Sequence, residues 1–258
     1  MMKLYGAEHH LMVVSDVIDA EEHAHSFVQV AISLDSAFQI EVEGQPISCC
    51  GIVLQSNVVH RLGGAGHPLL MLLMDSTSNL AASFKEIIGP NKYGLIPPEL
   101  AKAAAGFAVK HLSDIEDGTS YLTFLEQLLE QLNVHYIQPV IADERVGELI
   151  QLIKDCTGSE HSVGLYAGQI GLSDSRLSHL FKENTGISLS GYILLHKLQK
   201  ACYLIFRGVS ITDAAMSAGF DSPSHFANAS KRLLGMTAKD IRKDSDFLQV
   251  SCLHEIVQ

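Results

Sequence analysis

Two stretches decide the fold: AGQIGLSDSRLSHLFKENTGIS at residues 167–188 and AAMSAGFDSPSHFANASKRLLGMT at residues 214–237. One pattern runs through both. A small residue precedes a glycine by four positions, Ala167 and Gly171 in the first copy, Ala215 and Gly219 in the second. An apolar residue follows each glycine, Leu172 and then Phe220, and a serine suited to capping opens the next helix, Ser173 and Ser222. Beyond these serines the copies are offset by 49 residues, pairing Leu177 with Phe226, Lys182 with Lys231, Gly186 with Gly235 and Ser188 with Thr237. Before them the offset is 48, so the second turn is one residue longer. Such self-similarity marks a repeated supersecondary unit, here two short helices around a tight turn.

The physics of that unit is specific. Small alanines let two helices approach closely, and the glycines supply the backbone freedom of a sharp turn. Ser222 followed by Pro223 is a strong helix start. Leu177, Leu180 and Phe181 share one face of the first post-turn helix; Phe226, Ala229 and Leu233 share one face of the second. The opposite faces carry Ser175, Ser178, His179 and Lys182, then Ser224, His225, Asn228 and Lys231, with Arg232 beside them. Hydroxyl, imidazole and amide groups suit base edges in a major groove, and lysines suit phosphates. The pattern therefore reads as a double helix-turn-helix, two recognition helices presented to double-stranded DNA. Two ordinary helical hairpins are the plainer alternative.

These residues resemble the DNA-binding domain of the AraC/XylS family of transcription regulators. ISLSGYILLHKLQKACYLIF, 187–206, is similar to the family's connecting helix, and SITDAAMSAGFDSPSHFANASKRLLGMTAKDIRK, 210–243, to its second motif. The chain departs from the family pattern at four positions. Asn228 replaces an arginine, Ser230 a buried phenylalanine, and Ala238 and Ile241 a proline and a tyrosine.

Charge agrees with that placement. The 258-residue chain has a formal net charge of −11. Residues 1–144 hold 6 Lys+Arg against 18 Asp+Glu, whereas residues 161–243 hold 10 against 5. The basic part coincides with the repeat, as a phosphate-facing surface requires. Two domains with different partners follow: 1–140 for sensing and dimerisation, 144–245 for DNA, and a tail at 246–258. The linker is placed at Gln138–Asp143, marked by Pro139.

Residues 8–75 read as short strands. FQIEVE at 38–43 alternates, with Phe38, Ile40 and Val42 on one face. Several such segments suggest an antiparallel barrel or sandwich. HAHSFVQVAISL, 23–34, resembles the opening strand of the cupin-like sensor found in many AraC-type proteins, and NVVHRL, 57–62, a later strand of it. That resemblance implies a cupin-like antiparallel β-barrel followed by helices, so the fold class is α+β with an all-α C-terminal domain. LDSA, 34–37, stands where a glycine-rich hairpin turn is usual.

His23 and His25 alternate and would share a strand face. With His60 they line the expected effector pocket. A three-histidine metal site of the cupin kind is the competing reading; with no carboxylate at ligand spacing, an organic effector and no resident metal or cofactor are expected.

Residues 79–136 change to helical periodicity. Leu122, Leu125, Leu129 and Leu132 form a narrow stripe, widened by Leu128. It reads as core packing or as a homodimer seam; in an AraC-like protein the helices after the barrel often pair. DERVGELIQLIKDCTG, 143–158, starts the second domain, with Val146, Leu149, Ile150 and Ile153 inward.

Catalytic motifs are missing: no G-x-S-x-G, P-loop or G-x-G-x-x-G occurs, and Gly63, Gly64 and Gly66 read as a turn. The five cysteines show no disulfide or zinc spacing. Early charges argue against a signal peptide, and no apolar run reaches membrane-span length, so a cytoplasmic location is expected. The expected function is an effector-controlled transcription regulator that contacts RNA polymerase if it activates, and no enzyme. The alternative is a cupin-type metal enzyme or small-molecule binder with a degenerate DNA-binding domain.

Overall fold

The computed structural model describes residues 2–7, 10–16, 19–63, 66–135, 143–156, 160–234 and 245–249. The chain divides into one unit of Met1–Gln138 with Lys243–Gln258 and a second of Pro139–Arg242. Most of the proposed linker, Pro139 included, and much of the expected tail, Cys252 included, fall outside the described residues.

The first unit is built on eleven strands among the described residues. They are β1 Met2–Gly6, β2 His10–Ser15, β3 Asp19–His23, β4 Val28–Ser33, β5 Phe38–Val42, β6 Gln45–Cys49, β7 Gly51–Leu54, β8 His60–Gly63, β9 Leu69–Met74, β10 Tyr93–Leu95 and β11 Ser245–Gln249. Seven make one sheet in the order β10-β7-β4-β9-β2-β1-β11, and four make another, β3-β8-β5-β6. Three helices follow β9: α1 Asn79–Ile88, α2 Pro98–His111 and α3 Gly118–Gln131.

Burial explains why LLMLLM reads as an unbroken apolar run. Every residue of β9 is buried. Leu70, Leu72 and Met74 join one core with Val28, Val30, Ile32, Phe84, Ala104 and Leu125. That core lies between the larger sheet and the helices. Leu69, Met71 and Leu73 alternate to the opposite face and are buried too. A strand covered on both faces has no position for a polar residue. β5 has one covered face and keeps its alternation, with Phe38, Ile40 and Val42 buried and Gln39 exposed.

The two mainly antiparallel sheets fit the expected cupin-like domain, and hydrogen bonding among the described residues does not close them into one barrel. LDSA does not turn a hairpin: β4 and β5 belong to different sheets, and the segment carries the chain from one to the other. Asp35 holds that corner, accepting bonds from the Ser33 hydroxyl and the Ser36 backbone amide.

The leucine stripe is core. Leu125, Leu128, Leu129 and Leu132 are at most 2% exposed and pack in the helix–sheet core beside Tyr5, Met12 and Phe84. Leu122 is half-buried against it. A dimer seam on this stripe is therefore ruled out, because the chain's own sheet already occupies it. The helix itself starts at a reciprocal capping box in which Asp117 accepts from the Ser120 amide.

The C-terminal strand was not foreseen. β11 lies parallel to β1, with Met2 opposite Ser245 and Gly6 opposite Gln249. The segment assigned to an unread tail thus adds an edge strand to the first unit.

The second unit is helical among the described residues: α4 Glu144–Asp155, α5 Val163–Ile170, α6 Asp174–Thr185, α7 Leu189–Phe206, α8 Ile211–Ser217 and α9 Pro223–Leu234. Val146, Leu149, Ile150 and Ile153 are all buried, as their spacing predicts.

Candidate nucleic-acid interface and histidine cluster

The two turns are built alike. Gly171 takes the left-handed φ of 73°, Gly219 one of 84°. The Leu172 amide donates to the Ala167 carbonyl at 2.9 Å, and the Phe220 amide to the Ala215 carbonyl at 3.1 Å. This is the five-residue closure that ends a helix on glycine. Ser173 then caps α6 through the Arg176 amide at 3.3 Å, and Ser222 caps α9 through the His225 amide at 3.1 Å. The residue inserted in the second turn is Asp221. Its carboxylate meets His225 Nδ1 at 3.0 Å.

The faces divide as expected. Leu177, Leu180 and Phe181 of α6 are buried, as are Phe226, Ala229 and Ser230 of α9. Ser175, His179 and Lys182 are exposed and Ser178 half-buried; Ser224, His225, Asn228, Lys231 and Arg232 are exposed. The side chain of Leu233, with Gly235, Thr237, Ala238 and Ile241, lies outside the described set.

One residue of this face was missed. Arg176 is exposed in the first turn of α6 and is the counterpart, at the 49-residue offset, of His225. The repeat register carried the signal. A guanidinium there adds the side chain best suited to guanine. α7 connects the two motifs with 18 residues, about 27 Å of helix at 1.5 Å per residue.

In the first unit, His23, His25 and His60 do come together. His23 and His60 are cross-strand neighbours on β3 and β8, next to an irregularity in that pairing. His25 is not on the strand of His23. It sits in the connection between β3 and β4, just before a bend at Ser26 and Phe27, and the Asn57 amide donates to its carbonyl at 2.7 Å. Ring centroids are 4.4 Å apart for His23–His60, 5.0 Å for His25–His60 and 5.3 Å for His23–His25. One ligand-capable nitrogen from each lies within 4.8 Å of the others.

Each ring is held from behind by an oxygen. His23 Nδ1 bonds the Glu21 carbonyl at 2.7 Å, His25 Nε2 the Gln29 Oε1 at 2.8 Å, and His60 Nδ1 the Val58 carbonyl at 2.9 Å. Those oxygens accept, so each of these ring nitrogens carries the proton. The Gln29 amide is turned the right way by its Nε2, which donates to Met71 Sδ. His25 Nδ1 and His60 Nε2 are buried and have no hydrogen-bond partner. A buried polar atom left without a partner costs about 1–3 kcal/mol. Burial, aided by repulsion from the neighbouring histidines, pushes His25 down to about 3; burial and then His23 push His60 down to about 4, against the bond to Val58. Both rings are neutral at pH 7. Two surface clefts, about 440 Å³ beside Phe107 and Thr123 and about 350 Å³ beside Asp35 and Lys102, lie away from these histidines.

The family model described as "Helix-turn-helix domain" matches residues 166–244. HTH-type transcriptional regulator MtrA of Neisseria gonorrhoeae is 30% identical over 103 residues, covering 40% of this chain and 34% of that protein. The arabinose operon regulatory protein of Escherichia coli is 31% identical over 127 residues, covering 47% and 43%. The chain thus spans less than half the length of these curated relatives. The C-terminal unit is a helix-turn-helix domain similar in sequence to those of these regulators. Across most of the chain the fold is that of ToxT from Vibrio cholerae, with a TM-score of 0.58 at 12% identity over 90% of this chain and 96% of that one. A second ToxT structure, described as bound to an unsaturated fatty acid, gives a TM-score of 0.52 at 13% identity.

Proposed function

We propose that this chain is a sequence-specific DNA-binding transcription regulator controlled by a small molecule held in its first unit. The observation that carries the reading is the pair of capped, glycine-turned recognition helices in one register, each with a polar, lysine-bearing exposed face. Arg176, Ser175, Ser178 and His179 of the first motif, and Ser224, His225 and Asn228 of the second, meet bases. Lys182, Lys231 and Arg232 meet phosphates. The relatives are transcription regulators by name. A fatty acid bound in a protein of the same fold supports a ligand-controlled first unit.

Two copies would act as a homodimer in the cytoplasm, paired through a surface other than the leucine stripe, and an activating form would meet RNA polymerase. No helix among the described residues is long and apolar enough to cross a membrane. The test is selection of a DNA site from random sequence, followed by footprinting. Protection of two successive major-groove segments on one face is expected. Failure to enrich any site sinks the reading.

A further inference from the structure

We propose that the adjacent thiols of Cys49 and Cys50 bind trivalent arsenic that carries one organic group. The site belongs to the first unit alone and is independent of the DNA reading.

Topology puts the two thiols together. Cys49 ends β6, opposite Phe38 in the smaller sheet, and Gly51 opens β7, opposite Ile32 in the larger one. Cys50 carries the chain between them in a bend, its carbonyl accepting from the Ser33 amide at 2.9 Å. In a continuous strand neighbouring side chains point to opposite faces; the bend breaks that alternation. Both cysteines are free and half-buried, and Cys50 lines the cleft of about 350 Å³ beside Asp35 and Lys102. Burial and then the Cys50 thiol push Cys49 up to about 11, against the Gly51 amide. The two sulfurs therefore sense each other, and Cys49 is a protonated thiol at pH 7.

Geometry then selects the ligand. Adjacent Cα atoms are held about 3.8 Å apart, whereas a relaxed disulfide spans about 4.4–6.8 Å, so the pair resists closing on itself. Among the described residues the only cluster of three or more His, Cys, Asp or Glu groups is the histidine one, so the two thiols have no third protein ligand. A structural zinc site asks for four. Arsenic bearing one organic group and two hydroxyls asks for two, and soft sulfur suits it. Two As–S bonds form and two As–O bonds break; each thiol proton leaves with a hydroxyl as water, and arsenic stays trivalent. A protonated thiol is a poor alkylation target, because the thiolate is the nucleophile, but it brings to this condensation the proton that the leaving hydroxyl needs. The cleft leaves room for the organic group beside Gly106, where an added Cβ would meet nothing within 4 Å.

Reduced full-length protein, freed of small thiols, is treated with phenylarsine oxide, a dihydroxy species in water, and read by intact and peptide mass spectrometry. One phenylarsenic group per chain is expected, on the peptide that holds Cys49 and Cys50. Dimercaptopropanol should remove it; glutathione, a monothiol, should not, because release needs both As–S bonds broken together. Cys49→Ser and Cys50→Ser should each lose the group in glutathione, and Cys156→Ser, Cys202→Ser and Cys252→Ser should keep it. If a serine variant does not fold, the position of the group in the wild-type protein decides. No adduct, an adduct on another peptide alone, release by glutathione, or retention in Cys49→Ser each overturn the proposal.

Discussion

The two helix-turn-helix motifs share one backbone and differ in what fills it. At the 49-residue offset, Leu180 and Phe181 of the first recognition helix become Ala229 and Ser230 of the second. All four are buried, at 6%, 0%, 3% and 0% exposure. The first motif packs α6 against α4 and α7 in a core that includes Ile153, Tyr166, Phe181 and Tyr192. The second packs α8 and α9 on the later part of α7, where the buried residues include Ala201, Cys202, Ala214, Ala215 and Ala218. Burying one leucine or phenylalanine stabilises by about 1.5–3 kcal/mol, so two such residues anchor α6 by roughly 3–6 kcal/mol more than their counterparts anchor α9. The lesson is that a turn and its caps can be copied without copying the anchorage. On the proposed function, the first motif is the firmly anchored reader and the second the more weakly anchored one.

The largest expected effect tests that asymmetry directly. Phe181→Ser should destabilise the helical unit by about 3–5 kcal/mol. Ser230→Ala should cost about 0.5–1.5 kcal/mol, the scale of one hydrogen bond. Urea unfolding followed by circular dichroism measures both. Equal losses would mean the two cores are equivalent after all.

On DNA the motifs separate by chemistry. Arg176→Ala should weaken a selected site by about 1–3 kcal/mol and relax a guanine preference; Asn228→Ala should do the same at an adenine. Competition binding against single-base variants of the site assigns each base. Lys182→Ala and Lys231→Ala should weaken all sequences alike and lower the salt slope by about one unit. A silent Asn228→Ala, with Arg176→Ala strongly impaired, would reduce the second motif to a spacer.

Asp221 offers a finer test. The inserted carboxylate engages His225, which the proposed function turns toward bases. An exposed pair of this kind is worth about 0–1 kcal/mol. Asp221→Ala should therefore tighten DNA binding by no more than that, with the gain shrinking as salt rises. Weaker binding in this variant would show that the pair positions His225 rather than restrains it.

The smallest effect reads opening of the second core through a thiol. Burial pushes Cys202 up to about 12, so at pH 8 it is protonated and enclosed. Native protein should leave Cys202 unalkylated for as long as its core stays shut. Phe226→Ala should make it reactive, while Phe181→Ser should do so only on unfolding of the whole unit. Mass spectrometry after iodoacetamide treatment follows each site.

Local chemistry was legible in the sequence, and long-range pairing was not. The glycine turns, serine caps and buried faces of α6 and α9 are short-range features, and they fall where the spacing puts them. The leucine stripe shows the limit. Its period fixes a buried face, but whether the cover is a second copy or the chain's own sheet depends on residues as distant as Tyr5 and Met12. The i, i+2 spacing predicts one strand for His23 and His25; β3 ends at His23 with His25 two residues beyond it, and the approach of His23 to His60 arises from sheet pairing. Arg176 was readable from the repeat register, which pairs it with the exposed His225. The β1–β11 partnership spans nearly the whole sequence and is parallel, so no hairpin turn announces it.

That last pairing decides which strand forms the edge of the larger sheet. β11 stands at the edge of the seven-stranded sheet and covers the free side of β1. A chain cut before Ser245 would leave β1 with an open row of amides and carbonyls, flanked by the apolar β2. Such an edge is a template for a strand from another molecule. Five residues that follow the helical unit thus move the open edge of the sheet from β1 to a short strand, and trimming them from the first unit would expose β1.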